Sequence, residues 1–237
     1  MNGGISYRPC RRSDAAQVAE VIFRTGYMGE DLEGRFGDVR LFGLIFGLYY
    51  VYHETDNCFV TVDDGSGRVV GYIIGTRDAL GYGRRFARRM MWRIASRLIF
   101  WTSWRHPKDI AEVLYWKRHD DPASAVAPDG YEAHLHINLL PGYQRLGIGG
   151  ELMRRFEERL SSAGVDGVYL HTSNHNAKAI PFYIKHGFSL LEDHAQPFWR
   201  GVDDHRTLVF GKRLQKMPSE DVIGATGIDE RTGDDDT

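Results

Sequence analysis

Tyr131-Glu132-Ala133-His134-Leu135-His136-Ile137-Asn138-Leu139-Leu140, then Pro141-Gly142-Tyr143-Gln144-Arg145-Leu146-Gly147-Ile148-Gly149-Gly150, carries a strand, a turn and the opening of a helix in one continuous stretch. Tyr131 to Leu140 alternates apolar and polar side chains, the period of a half-buried strand. From Glu151, residues Leu152, Met153, Phe156 and Leu160 recur at helical spacing, Glu151 and Arg155 form an i,i+4 pair, and Gly164 supplies a stop. A Gly-rich turn between such elements leaves backbone N–H groups without intrahelical partners, backed by the positive end of the helix dipole. That is a cradle for phosphate or pyrophosphate.

Two common cradles are excluded by residue type. A Walker P-loop requires a lysine and a hydroxyl after its last glycine, where this chain has Glu151-Leu152. A dinucleotide fingerprint requires a further glycine where Leu152 stands. The remaining pattern, Gln/Arg-x-x-Gly-x-Gly/Ala, resembles that of the GNAT acetyltransferase superfamily, whose turn holds the pyrophosphate of acetyl-coenzyme A. The resemblance assigns that role to Gln144, Arg145, Leu146, Gly147, Ile148, Gly149 and Gly150.

A second motif follows one βα unit later. Asn176-Ala177-Lys178-Ala179-Ile180-Pro181-Phe182-Tyr183-Ile184-Lys185-His186-Gly187-Phe188 is similar to the superfamily's Asn-x-x-Ala…Tyr…Gly-Phe segment. Asn176 reads as a helix N-cap and Gly187 as a left-handed stop. Pro181 implies a short or kinked helix.

Working outward, residues 5–9 read as a strand and Ser13 or Asp14 as the cap of a helix running to about Arg24. A polar loop, 26–37, holds Glu30, Asp31 and Glu33, and 38–53 has helical apolar spacing rich in aromatics. Two strands, 58–63 and 68–76, flank Asp63-Asp64-Gly65-Ser66-Gly67, a hairpin turn by composition. Segments 131–140, 151–163, 167–172, 176–186 and 188–192 then read β-α-β-α-β, a parallel crossover arrangement, with 206–211 as a closing strand. A single domain is expected over 1–215, with a helical insertion at 77–130 and an acidic, disordered tail at 216–237.

Composition bounds the function classes. The 237 residues suffice for one sizeable core, 42% are hydrophobic, and a net charge of −2 predicts no general attraction to nucleic acid. Cys10 and Cys58, the two cysteines, match no metal-ligand spacing and suit reduced thiols. No apolar signal core follows Met1, and the apolar run Leu41 to Tyr52 is too short to span a bilayer. A cytoplasmic protein with no metal and no membrane span, monomeric or homodimeric, is the expectation.

Acetyl transfer to an amine poses two proton problems: the ammonium must lose one, and the leaving thiolate is helped by gaining one. Glu132, His134, His136 and Asn138 share one face of the strand ahead of the turn, and imidazoles are suited to the first task. Two neighbouring imidazoles also resist being charged together. His134-Leu135-His136 resembles the His-Leu-His strand of arylalkylamine N-acetyltransferases, where the pair serves as base; Glu132 and His171 remain alternatives. The superfamily resemblance further makes Tyr183 the acid, Asn176 a coenzyme contact, and the backbone amides of Leu139 and Leu140 the partners of the pantetheine arm.

The insertion places Arg84, Arg85, Arg88, Arg89, Arg93 and Arg97 at helical spacing, with Phe86, Met90, Ile94, Leu98 and Trp101 mainly opposite. A basic amphipathic helix can meet a membrane surface, an acidic partner or RNA, but a lid packed by its apolar face, with its arginines paired or solvated, is expected. Trp92, Trp101, Trp104 and Trp116 read as core filling or pocket lining. The layout as a whole also resembles the acetyltransferase-like domain of protein O-GlcNAcases.

The expectation is therefore a mixed α/β GNAT fold whose central parallel strands splay apart around acetyl-CoA. The resemblance implies direct transfer to a primary amine, carried by a small molecule or a peptide. The alternative is a catalytically weak acetyl-CoA-binding sensor or scaffold.

Overall fold

The computed structural model describes residues 4–119 and 126–215; the acidic segment 216–237, and part of the insertion, lie outside the described residues. Seven strands form one mixed sheet: β1 (Ile5–Pro9), β2 (Phe59–Asp63), β3 (Arg68–Thr76), β4 (Ala133–Leu139), β5 (Gly167–Ser173), β6 (Ser189–Ala195) and β7 (Arg206–Arg213). Their spatial order is β1-β2-β3-β4-β5-β7-β6. All neighbours are antiparallel except β4 and β5.

The parallel pair decides the architecture. β3 and β4 stay in register from Thr76↔His134 to Gly71↔Leu139, but β4 meets β5 only at Ala133↔Val168 and His134↔Tyr169. Beyond His134 the two strands part, and a gap opens in the middle of the sheet. The mixed α/β sheet with splayed central strands is as expected. One part of the topology differs: β7 does not close the sheet but inserts between β5 and β6, which are parallel without touching.

Helices cover both faces. One face carries α1 (Ala15–Thr25), α2 (Val39–Phe46), α3 (Leu48–His53) and α4 (Ala79–Arg97); the other carries α7 (Ile148–Ser162) and α8 (Ala179–Lys185). Strand alternation splits β3 between them, with Tyr72 and Ile74 packed among the first set and Ile73 among the second. Leu152, Phe156 and Leu160 of α7 are fully buried, the periodic stripe read from the sequence. Burying each is worth about 1.5–3 kcal/mol against exposure.

Three local expectations need correction. Residues 38–53 form two helices because Gly47, at φ −160 and ψ −26, leaves helical geometry between them; a Cβ there would lie 2.5 Å from Ile22 Cδ1 and 3.0 Å from Ile74 Cδ1. The helix expected from Asn176 begins at Ala179, so Pro181 is its third residue, where an N–H has no intrahelical partner to lose. Asp14 does sit ahead of α1, but its carboxylate turns back to Arg8 (2.7 Å) and the Arg11 amide (2.7 Å) instead of capping the helix.

The insertion is helical: α4 runs through a π-helical stretch, Leu98–Thr102, into α5 (Ser103–Arg105) and α6 (Pro107–His119). Two buried carboxylates pin it to the chain before α2. Asp38 accepts from Arg97 (2.9 Å), Thr102 (2.7 Å) and the Leu41 amide (3.0 Å), while Asp109 accepts from the Gly37 (3.0 Å) and Asp38 (2.8 Å) amides. Removing one partner of so buried a pair costs about 3–5 kcal/mol.

Candidate active site

The gap between β4 and β5 opens into a cavity of about 870 Å³. Its sheet side presents His134, His136, Asn138 and His171; its far side is built from Thr25 at the end of α1, Met28 just after it, Tyr82 and Phe86 of α4, and Phe198, Trp199 and His205 from the β6–β7 connection. Lys178, ahead of α8, pairs with Glu30 of the loop after α1 at 2.6 Å.

The glycine turn follows the end of β4, with Gly149 beside Leu139 and Phe182. Gly147 is left-handed, φ +80, and serves as N-cap of α7, so the helix starts at Ile148, three residues earlier than its apolar stripe suggested. Its first hydrogen bond runs from the Glu151 amide to the Gly147 carbonyl at 3.2 Å. The N–H groups of Ile148, Gly149 and Gly150 precede that bond and point out of the helix end. Arg145 is also left-handed, φ +62, and Leu146 is exposed, whereas Ile148 is buried. Gln144 turns its side-chain amide inward, donating to the Leu139 carbonyl at 3.0 Å.

The end of β4 divides its two expected contacts. The Leu140 amide donates to the Val70 carbonyl of β3 at 2.9 Å. Because N–H groups alternate sides along a strand, Leu139 directs its N–H away from β3, into the gap.

At the other end lies a cluster of imidazoles and phenols. His134 is buried, with Nδ1 3.3 Å from the Tyr50 hydroxyl and Nε2 3.2 Å from His171 Nδ1. With Tyr50 donating to Nδ1, a neutral His134 carries its proton on Nε2 and donates to His171. His136 packs edge-on to His134 at 4.7 Å between ring centres, and Tyr82 stacks on Tyr50 at 5.3 Å. Burial, then the neighbouring imidazoles, lowers the pKa of His134 well below the ordinary value; the same causes bring His136 down to about 4. Both are neutral at pH 7.

Tyr183 of α8 lines the same cavity, buried against Phe188 and Phe210 with ring centres 6.1 Å away. Burial raises its pKa, so the phenol keeps its proton. Asn176 also lines the cavity, and its side-chain oxygen accepts from the Ala179 amide at 3.3 Å.

Other candidates fall elsewhere. Glu132 is exposed and accepts from the Gly167 amide at 3.2 Å, apart from the residues lining the cavity. The loop acids are engaged in ion pairs: Asp31 and Glu33 with Arg24 (2.7 and 3.1 Å), Glu30 with Lys178. Sequence reading missed Tyr50, Tyr82 and Tyr169, whose ring lies 4.8 Å from that of His134. The aromatic run Leu48-Tyr49-Tyr50-Val51-Tyr52 was the available signal for the first. Among the described residues no group of His, Cys, Asp and Glu has the geometry to hold a metal ion.

Comparison with known proteins bears on this arrangement. Over 65 residues the chain is 34% identical to the N-acetyltransferase YjcF of Bacillus subtilis (strain 168), covering 27% of this chain and 44% of YjcF. The chain spans less than half the length of the curated relatives it matches. The crystal structure of SsHAT superposes with a TM-score of 0.71 at 29% identity, covering 89% of this chain and 98% of that one. The fold is shared too with yncA of Salmonella typhimurium, solved with acetyl-CoA (TM-score 0.54, 14% identity, 92% of this chain and 98% of that one). The model of the acetyltransferase (GNAT) family matches residues 40–188, well over half of the 237 residues, and takes in β4, the glycine turn and Tyr183. By that match the chain belongs to the GNAT acetyltransferase family.

Proposed function

We propose that the chain is an acetyl-CoA-dependent N-acetyltransferase that acts on a primary amine by direct attack in a ternary complex. One observation carries the reading: neutral imidazoles and a protonated phenol line one cavity at the β4–β5 gap, and an N–H-lined helix start follows the far end of β4.

The outward N–H groups of Ile148, Gly149 and Gly150, with the turn Gln144, Arg145, Leu146 and Gly147 shaped around them, hold the pyrophosphate at the positive end of α7. Leu139 offers its N–H to the pantetheine arm in the manner of an added strand. Leu140, bonded to Val70, fixes the strand end instead. Asn176 contacts the coenzyme from the β5–α8 turn.

His134 or His136 takes the proton that the amine sheds as its nitrogen attacks the thioester carbonyl. Both are neutral; His134 accepts once the Tyr50 hydroxyl turns away from Nδ1, because its Nε2 proton is held toward His171. A proton gained by His134 is shared with His171 through the Nε2–Nδ1 contact. As the C–N bond forms and the C–S bond breaks, Tyr183 donates its proton to the departing sulfur.

Tyr183→Phe tests the scheme. Turnover falls about tenfold or more while acetyl-CoA affinity in calorimetry stays nearly constant. Unchanged turnover removes Tyr183 from the mechanism. Coenzyme binding without thiol release, on any of a broad panel of amines, removes the transferase reading itself.

A further inference from the structure

The outer surface of α4 and the π-helical stretch beyond it is occupied by large apolar side chains. Met91 is 52% exposed, Trp92 76%, Ile99 61% and Phe100 75%, with Trp104 of α5 at 85%; Leu80, at 80%, is exposed where it lines the active-site cavity. The packed-lid expectation holds for Phe86, Met90, Ile94 and Leu98, which pack against the core, and for Arg85 and Arg97, which are paired with acids; Trp101 is exposed. Arg84, Arg88, Arg89 and Arg93 are exposed among the apolar groups, and no Asp or Glu occurs between Ala79 and Lys108.

A second feature adjoins this surface. Arg40, Arg93 and Arg97 border a pocket of about 370 Å³ whose apolar part is Leu44, Phe100 and Trp101. Arg97 is committed to Asp38, and Arg93 lies over the Tyr52 ring at 5.1 Å; Arg40 is exposed. Guanidinium groups above aromatic and aliphatic side chains match a ligand with a phosphate at one end and hydrocarbon at the other.

We propose that this face docks onto an anionic phospholipid membrane, with Arg40 and Arg93 on a headgroup phosphate and Trp92, Phe100 and Trp104 seated at the headgroup–acyl boundary. Indole rings favour that boundary, and each arginine near an anionic leaflet adds attraction. Single-stranded RNA would use the flat rings and the arginines but gain little from Met91 and Ile99. A second copy of the same face would set arginine against arginine. No helix among the described residues is long and apolar enough to cross a membrane, so attachment is peripheral.

Flotation of the full chain with vesicles of phosphatidylcholine alone, or of phosphatidylcholine with phosphatidylglycerol, tests this directly. Retention is expected on the anionic vesicles and weakens with added salt. Tryptophan emission shifts to the blue and is quenched by brominated lipid; Trp116 and Trp199, both buried, contribute a constant background. Arg40→Ala with Arg93→Ala weakens binding about tenfold or more. Trp92→Ser with Trp104→Ser reduces the blue shift to what Trp101 alone supplies, while acetyl transfer and far-UV circular dichroism stay as in the parent. Equal retention on both vesicle types, or on neither, overturns the proposal. So does capture of single-stranded RNA or polyglutamate without vesicle binding. The brominated-lipid readout uses the unaltered protein and does not depend on any variant folding.

Discussion

The turn at Gln144–Gly150 and the cluster around His134 stand toward opposite ends of β4 and are assembled from different material. The turn draws its binding groups from consecutive residues and from the main chain, so Leu146 can be exposed and Ile148 buried without affecting what the amides offer. The cluster draws on α3, α4, β4 and β5 and works only through side chains. The first depends on backbone shape and is indifferent to most side chains. The second depends on side-chain identity, and its backbone is ordinary strand and helix. Binding and chemistry should therefore fail separately.

The largest expected effect tests that separation from the chemical side. His134→Ala lowers kcat about a hundredfold or more, with acetyl-CoA affinity unchanged in calorimetry. An equal loss of affinity would show that the two regions are coupled. From the binding side, Gly147→Val forces a β-branched residue to φ +80, where nothing lies within 4 Å and only backbone strain resists it. The strain is about 1–2 kcal/mol, so the Kd for acetyl-CoA rises roughly tenfold while kcat at saturation changes little. Leu146→Ser, the control on the same turn, leaves both constants near those of the parent.

Tyr50→Phe removes one hydrogen bond from the cluster and keeps its packing. A loss in kcat of about two- to tenfold is expected, the weight of a single hydrogen bond. The smallest signal is in pH dependence. With His136 held at about 4 and His134 well below its ordinary value, kcat stays flat as pH falls through 6.5 and declines only in more acid solution. A limb centred near 6.5 would mean that the working base lies outside this pair. Stability follows the same groups: between the unfolded value and the lower folded one, the unfolded chain binds more protons, so Tm drops as pH falls below about 6.5. His136→Gln reduces that slope.

These differences also explain what was legible in the sequence. The turn, α7 and the alternating face of β4 depend on local pattern, and each could be read from contiguous residues. Tyr50 lies 84 residues from His134, and nothing local to either predicts their contact. Ile22 and Ile74 close on Gly47, where 38–53 divides into two helices, and that close approach is a tertiary feature. The parting of the Leu139 and Leu140 amides depends on register with β3. Acid–base pairing was likewise invisible: Glu30 reads as a surface acid until Lys178, 148 residues away, is placed beside it. The tryptophans misled in the opposite direction, since Trp116 is buried while Trp92 and Trp104 are exposed.

The position of β7 has a consequence for biogenesis. Arg206–Arg213 leave the ribosome after every other strand, yet they occupy an interior place between β5 and β6. Until they arrive, the nascent polypeptide holds β5 with one flank bare and β6 with no neighbour, while β1 to β4 can already zip together. Translation would thus produce a half-finished sheet with open edges, the kind of intermediate that chaperones shield from aggregation. A stalled or prematurely terminated message ending before Arg206 should yield a product prone to degradation rather than a smaller working protein.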